Sequence, residues 1–327
     1  MRKKLRVAVV YGGRSGEHEV SIRSARSIMA AMDRTKYEVL EFFITRAGRW
    51  KPYAIRPEPG GNPGIDVVFP VLHGTFGEDG TVQGLLELAA LPYVGAGVLG
   101  SAASMDKDFT KRLCVERGLP VVEWVVLERG RLSVSAVEER LTYPVFVKPA
   151  NLGSSVGISK AKNRRALKKA LELAALYDTK VIVERAIEGR ELECSVLGNE
   201  DPQASAPCEI IPSREFYDYE DKYILDRAET IAVADLTPAE SEEVRRLAVA
   251  CYQAVGCEGM ARVDFLLEAA TGRIWINEIN TIPGFTSISM YPKMWEASGL
   301  PYPRLIDRLI ELALERHAAR RKTRYRR

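Results

Sequence analysis

Arg6-Val-Ala-Val-Val-Tyr11 carries a continuous apolar run that empties into Gly12-Gly13, the signature of a buried parallel strand ending in a loop. A helix is expected next, with Glu19, Ser21 and Arg23 polar and Val20, Ile22, Ile28 and Met29 apolar. Asp66-Val-Val-Phe-Pro-Val-Leu72 is a second strand of the same kind, ending in His73-Gly74. Strands alternating with helices, with loops of unusual composition after the strands, predict an open parallel sheet over residues 1–100.

The pattern changes over residues 101–189. A helix is expected from Ser101 to Gly118, then a strand over Val121–Leu127, a short one over Pro144–Pro149 and another over Lys180–Arg185. Asn163 to Tyr177 alternates at helical spacing. These make a small α+β unit. Residues 190–327 read as a third, strand-rich unit in which Glu191-Leu-Glu-Cys-Ser-Val-Leu197 alternates polar and apolar and Glu240–Val255 is an amphipathic helix. Pro212 to Thr230 has charge and tyrosine without a period. It reads as a long surface loop, of the kind used as lids, over about residues 213–230.

Composition narrows the classes. With 327 residues, 46% hydrophobic and 28% charged, the chain can bury several cores. Of 47 basic residues, seven follow Glu315, so a mildly acidic body ends in a basic tail, residues 316–327. That is no nucleic-acid footprint across the fold, and the tail is expected to be a solvated, frayed end. Met1-Arg-Lys-Lys-Leu-Arg6 resembles a signal n-region, but Val7–Val10 is too short an apolar core to follow it, and Leu85–Gly100 is too short to span a membrane. Five cysteines with no C-x-x-C pair read as free thiols in a reducing cytoplasm.

The chemistry concentrates in Gly259–Glu268 and Arg273–Asn280, a predicted hairpin. Alternation puts Arg262 and Asp264 on one face of the first strand and Glu278 and Asn280 on one face of the second. A turn about Thr271 pairs Asp264 with Glu278 and Arg262 with Asn280. Two carboxylates and an amide oxygen are hard ligands suited to Mg²⁺, although an ordinary charged hairpin face gives the same pattern, and a one-residue slip breaks it. Asn151-Leu-Gly-Ser-Ser-Val-Gly157 is a small-residue loop whose N–H groups could reach phosphate, with Lys148 at the end of the strand before it; a plain surface turn reads the same way. It is not a P-loop, and Gly12-Gly-Arg-Ser-Gly-Glu-His-Glu19 lacks dinucleotide spacing.

Six blocks, in order, resemble the D-alanine–D-alanine ligase family. They are Gly12–Ser21; His73-Gly74 with Gly77–Gly84; Ser104-Met-Asp-Lys107; Val147-Lys-Pro149 with Gly153–Gly157; Glu215–Tyr223; and Asn277–Met290. The resemblance covers nearly the whole chain and implies a three-domain ATP-grasp fold that combines α/β and α+β parts and has an open parallel-sheet N-terminal domain. It implies ATP-dependent ligation of two D-alanines through a D-alanyl phosphate, for peptidoglycan precursors, in a cytoplasmic homodimer without membrane or nucleic-acid partners. Another acceptor, such as D-lactate or D-serine, is the alternative.

Site roles follow from the same resemblance. Lys107, Lys148 and Lys222 would neutralise the triphosphate, and Ser154 and Ser155 would cover it. Glu184 would face the adenine amine, with Ile187 beside it, and Glu191 the ribose. Asp264, Glu278 and Asn280 would hold two Mg²⁺, with Mn²⁺ able to substitute, and the pattern leaves room for a monovalent cation. Arg262 and the Gly284 N–H would stabilise the oxyanion. Glu17 would hold the ammonium of the first D-alanine, Ser289 and the Met290 backbone the carboxylate of the second, and His73 is a further substrate-binding residue. Glu17, Ser154 and Tyr223 would form the chain that closes the lid.

Overall fold

The computed structural model describes residues 3–211 and 229–324. The chain opens with β1 (Leu5–Gly12), α1 (His18–Ala31), β2 (Tyr37–Ile44), β3 (Trp50–Lys51), β4 (Val67–Val71) and α2 (Thr81–Leu88). These strands form a sheet in the order β3-β2-β1-β4, parallel except for the β2–β3 edge. All five residues of β4 and the centre of β1 are buried, because both faces of the sheet are covered. One face packs α2, through Leu86 and Val82. The other packs α1 and, from the far end of the chain, Leu305, Ile306, Leu309 and Ile310 of the last helix.

The helix expected over Ser101–Gly118 is two helices, α3 (Val98–Met105) and α4 (Lys107–Glu116). Asp106 breaks the run: its backbone is extended, and its carboxylate accepts the N–H groups of Asp108 and Phe109, capping α4. The break starts a new helix axis at Lys107. Then come β5 (Trp124–Glu128), α5 (Val134–Glu138), β6 (Val145–Pro149), β7 (Ser159–Ala161), α6 (Arg164–Tyr177) and β8 (Lys180–Arg185). They build an antiparallel sheet, β5-β8-β6-β7, with the apolar face of α6 against it and Asn163 capping that helix. The strand expected from Val121 begins at Trp124; Val121 contributes only a bridge to Ile276.

The third sheet contains β9 (Gly189–Gly198), β10 (Gln203–Ala204), β11 (Cys208–Ile211), β12 (Glu229–Ile231), β13 (Gly259–Glu268) and β14 (Ile274–Asn280). Its order is β12-β11-β9-β13-β14, with β10 on β9. Glu229 and Thr230, expected in the surface loop, are in β12; residues 213–228 of that loop lie outside the described residues. One face is covered by α7 (Pro238–Ala254), which begins with a Thr237–Glu240 capping box; α8 (Met290–Ala297) and α9 (Tyr302–Arg320) complete the chain.

The start of the basic tail is not frayed. Arg316 lies in α9, is 5% exposed, and donates to the carbonyls of Gly95 and Tyr93 while stacking over the Tyr93 ring. Arg320 pairs with Glu87 and Glu258. These carbonyls and carboxylates belong to distant segments, so the charge run hid a docking contact. All five cysteines are free and buried, and no helix among the described residues is long and apolar enough to cross a membrane.

Candidate active site

The hairpin pairs as its alternation predicts: Asp264 opposite Glu278 and Arg262 opposite Asn280. A bulge makes this so. From Leu267–Ile274 to Phe265–Ile276 the register would carry Asp264 to Asn277, but the ladder skips Asn277 and restores the Glu278 pairing. On the other side of β13, Asp264 faces Glu193 and Arg262 faces Ser195 of β9. Three carboxylates therefore lie in one row across three strands, with Arg262 in the next. Glu193 had no role in the sequence reading, though its alternation with Glu191 was the available signal.

Arg262 binds Asp264 bidentately, Nε to Oδ1 at 2.7 Å and Nη2 to Oδ2 at 2.6 Å, and lies 3.2 Å from Glu193. Burial would lower its pKa, but Asp264 and Glu193 outweigh burial and hold it above its ordinary value. Glu278 is 3.4 Å from the Lys107 ammonium, which also donates to the Leu152 carbonyl. Among the described residues, no three carboxylate, cysteine or histidine groups converge as a metal site. The residues nevertheless fit hard cations. Among the described residues Asn280 Oδ1 is buried with no hydrogen-bond partner, beside a row of three carboxylates against which Arg262 and Lys107 set positive charge.

Two pockets meet here. One is lined by Glu17, His73, Lys107, Ser154, Arg262, Asn280, Gly284, Ser289 and Met290. The other is lined by Lys148, Ser155, Glu184, Ile187, Glu191 and Asp264. Glu278 lines both. The sequence-predicted substrate residues fall in the first and, apart from Lys107 and Ser154, the described nucleotide residues fall in the second. Lys222 and Tyr223 lie outside the described residues.

The first pocket is built from loops at the C-terminal ends of β1 and β4. Glu17, just before α1, accepts a hydrogen bond from the Ser154 hydroxyl across the two units. Ser154 and Ser155 have φ of 53° and 58°, a left-handed conformation that non-glycine residues seldom adopt and that marks a strained, shaped loop. His73 is buried, and both ring nitrogens are engaged, Nδ1 with the Ile282 carbonyl at 2.9 Å and Nε2 with Ser24 Oγ at 3.2 Å. Its pKa is lowered by burial, against the opposing charge of Glu17. A Cβ at Gly284 would stand 2.6 Å from Ser289 Oγ, so any side chain there would displace the Ser289 hydroxyl. Ser289 immediately precedes α8, so the Met290 end of that helix offers unpaired N–H groups and positive dipole to an anion.

Glu78, given no role by the sequence, is 8% exposed and accepts from Gly74 N at 2.7 Å and Ile282 N at 3.4 Å. It thus ties the His73 loop to the Ile282–Gly284 loop. Burial and then Glu17 push its pKa up to about 8, so it is mostly neutral at pH 7. An acid raised in the folded state binds its proton there while the unfolded chain has lost it, so it subtracts stability as pH rises from about 4.5 to about 8. Glu78→Gln cannot ionise. Urea unfolding at pH 5.5, 7 and 8.5 should show wild type losing stability relative to Glu78→Gln across that window; parallel curves would mean that Glu78 is ionised when folded.

In the second pocket, Glu184 is 4% exposed and held between Lys148 at 2.6 Å and Lys111 at 2.9 Å. Burial alone would raise its pKa; Lys111 and Lys148 overcome that and bring it down to about 2.

Three sheets close on this two-pocket cleft, with Lys107 and Lys148 at its walls and a carboxylate row between. A solved D-alanine-D-alanine ligase from Coxiella burnetii matches with a TM-score of 0.87 at 41% identity, over 98% of this chain and 96% of that one. The VanG D-Ala:D-Ser ligase from Enterococcus faecalis matches at 0.88 and 36% identity, over 95% and 100%. The family models described as D-ala D-ala ligase N-terminus and C-terminus match residues 6–64 with 54–96, and 113–311. A D-alanine--D-alanine ligase from Solibacter usitatus is 67% identical over 98% of this chain and 99% of its own length. The chain belongs to the D-alanine–D-alanine ligase family.

Proposed function

We propose that the protein uses ATP to join two D-alanines into D-alanyl-D-alanine for peptidoglycan precursors, in the cytoplasm and as a homodimer. The observation that carries this reading is the meeting of the two pockets at Glu278, with Lys148 on the nucleotide side, Glu17 and the α8 N-terminus on the other, and Lys107 beside Glu278. A carboxylate resists attack by an amine because its carbon shares negative charge. Transfer of the γ-phosphoryl to a carboxylate oxygen of the first D-alanine breaks the bond to ADP and creates a leaving group. The neutral amine of the second D-alanine then adds to the acyl carbon, the oxyanion collapses, phosphate leaves and the nitrogen loses a proton.

Each unit supplies a part: residues 1–100 the first-substrate loops, residues 101–189 and 190–327 the two sides of the nucleotide cleft. Glu17 holds the ammonium of the first D-alanine. The doubly bonded His73 ring is a rigid wall of that site. Lys107, Lys148 and Lys222 face the phosphates under Ser155 and the backbone of its loop. Glu184 and Ile187 meet the base, and Glu191 the ribose. Arg262 and the Gly284 N–H stabilise the oxyanion, and Ser289 with the Met290 N–H holds the second carboxylate. Ser154, bonded to Glu17, closes the site with Tyr223 so that water does not reach the acylphosphate. Asp264, Glu278 and Asn280 would hold two Mg²⁺, which when bound supply Lewis-acid stabilisation of phosphoryl charge.

The test is phosphate release from Mg-ATP with D-alanine, L-alanine, D-serine, D-lactate or no acceptor, with products identified by mass. D-alanine alone should release phosphate and yield the dipeptide. Turnover that ignores D-alanine, or that needs another acceptor, overturns the reading.

A further inference from the structure

Lys111 is the most deeply buried cation of the nucleotide side, 1% exposed, and none of the roles above uses it. It lies on α4 one turn beyond Lys107. Its ammonium is 2.9 Å from Glu184 Oε1, donates to the Val122 carbonyl at 3.3 Å and sits 5.7 Å from the centre of the Trp124 ring. A lysine this deep is expensive to keep charged, so its one carboxylate partner must justify it. That partner is shared. Glu184 Oε2 is 2.6 Å from Lys148, whose ammonium also reaches Asn277 Oδ1 at 3.2 Å and faces the second pocket beside Glu278.

The arrangement is one carboxylate between two ammoniums. With Lys148 alone, Glu184 would cancel its charge and draw it back against β8. With Lys111 on the other oxygen, the triad keeps a net positive charge, and its member Lys148 faces the cleft.

We propose that Lys111 is a positioning residue that holds Glu184 from behind and thereby leaves Lys148 its positive charge for the polyphosphate of the nucleotide. The inference rests on the nucleotide reading of the second pocket. It concerns the phosphates and not the base, which separates it from a general packing role: loss of Lys111 weakens ligands in proportion to their phosphate charge.

Equilibrium binding of Mg-ATP and of adenosine to the full chain tests this. The readout is the ratio of the two affinities, which a uniform loosening of the pocket does not move. In Lys111→Met the ratio of ATP to adenosine affinity falls about tenfold, within the range by which a residue that does not touch a ligand changes its binding. In Lys111→Arg, which keeps the charge, it stays near wild type. In Lys111→Met/Glu184→Gln the carboxylate that Lys111 offsets is gone too, so the ratio recovers toward wild type even though adenosine itself binds less well. The last two variants carry the test if Lys111→Met does not fold. An unchanged ratio in Lys111→Met overturns the inference, as does a double variant whose ratio is no better than that of the single one. Wild-type protein that binds neither ligand sinks the nucleotide reading and this inference with it; ATP binding by wild type with an unchanged ratio in the variants sinks this inference alone.

Discussion

Arg262→Met is expected to lower dipeptide synthesis by about 10²–10³-fold in kcat, the scale of losing one donor that faces a developing oxyanion. The guanidinium is suited to that task because it is already fixed. Asp264 takes two of its N–H groups in a planar fork, Glu193 lies on its Nε side, and the central strand β13 fixes its backbone between β9 and β14. Little reorganisation is then needed as charge develops on the attacked carbonyl. The loss should appear in kcat with a smaller change in KM for D-alanine, because the oxyanion exists only after the amine has added. Arg262→Lys keeps a charge but not the fork and should recover only part of the rate. The side chain is 17% exposed and its removal leaves a row of carboxylates without the guanidinium, so stability will fall as well. Melting curves therefore accompany the kinetics. If kcat per folded molecule is unchanged in Arg262→Met, Arg262 serves the fold and the oxyanion has another partner.

How far the sequence foretells this site depends on the range of the forces involved. Strand alternation is local, so Arg262 with Asp264, and Glu278 with Asn280, are readable as same-face pairs from side-chain period alone, whereas the face the two pairs share depends on the register. The bulge that delivers it was not read, although Asn277-Glu278 interrupts the alternation of Ile274, Ile276 and Ile279, and two polar neighbours in a strand are its mark. The break at Asp106 has a local mark too, a good capping residue inside a run of helical length. Arg316 shows what local reading cannot supply. Seven basic residues after Glu315 look like a solvated end, and only the carbonyls of Tyr93 and Gly95, more than 200 positions away, reveal a docked one. Glu78, Glu193 and Lys111 belong to the same class: each is an ionisable residue whose meaning is its distant partner, through Ile282, Arg262 and Glu184.

Asn280→Ala should separate stability from function in opposite directions. A buried amide oxygen without a hydrogen-bond partner carries a desolvation penalty of about 1–3 kcal/mol, which the fold bears in the absence of a ligand for that atom. Alanine removes the atom and the penalty together, at the loss of a few packed side-chain atoms. Metal-free Asn280→Ala should therefore melt at or above the wild-type temperature. In the presence of Mg-ATP the order should reverse: wild type gains stability by mass action from a ligand that binds only the folded state, and the variant gains less. Dipeptide synthesis should fall by about 10²-fold or more, with a higher Mg²⁺ concentration needed for half-maximal rate. Melts in EDTA and in Mg-ATP, together with a Mg²⁺ titration of activity, check all three. A variant that is destabilised in EDTA by as much as in Mg-ATP, with activity lost only in proportion to unfolded protein, would make Asn280 a structural residue. Its oxygen would then owe its burial to the end of β14 and not to a cation.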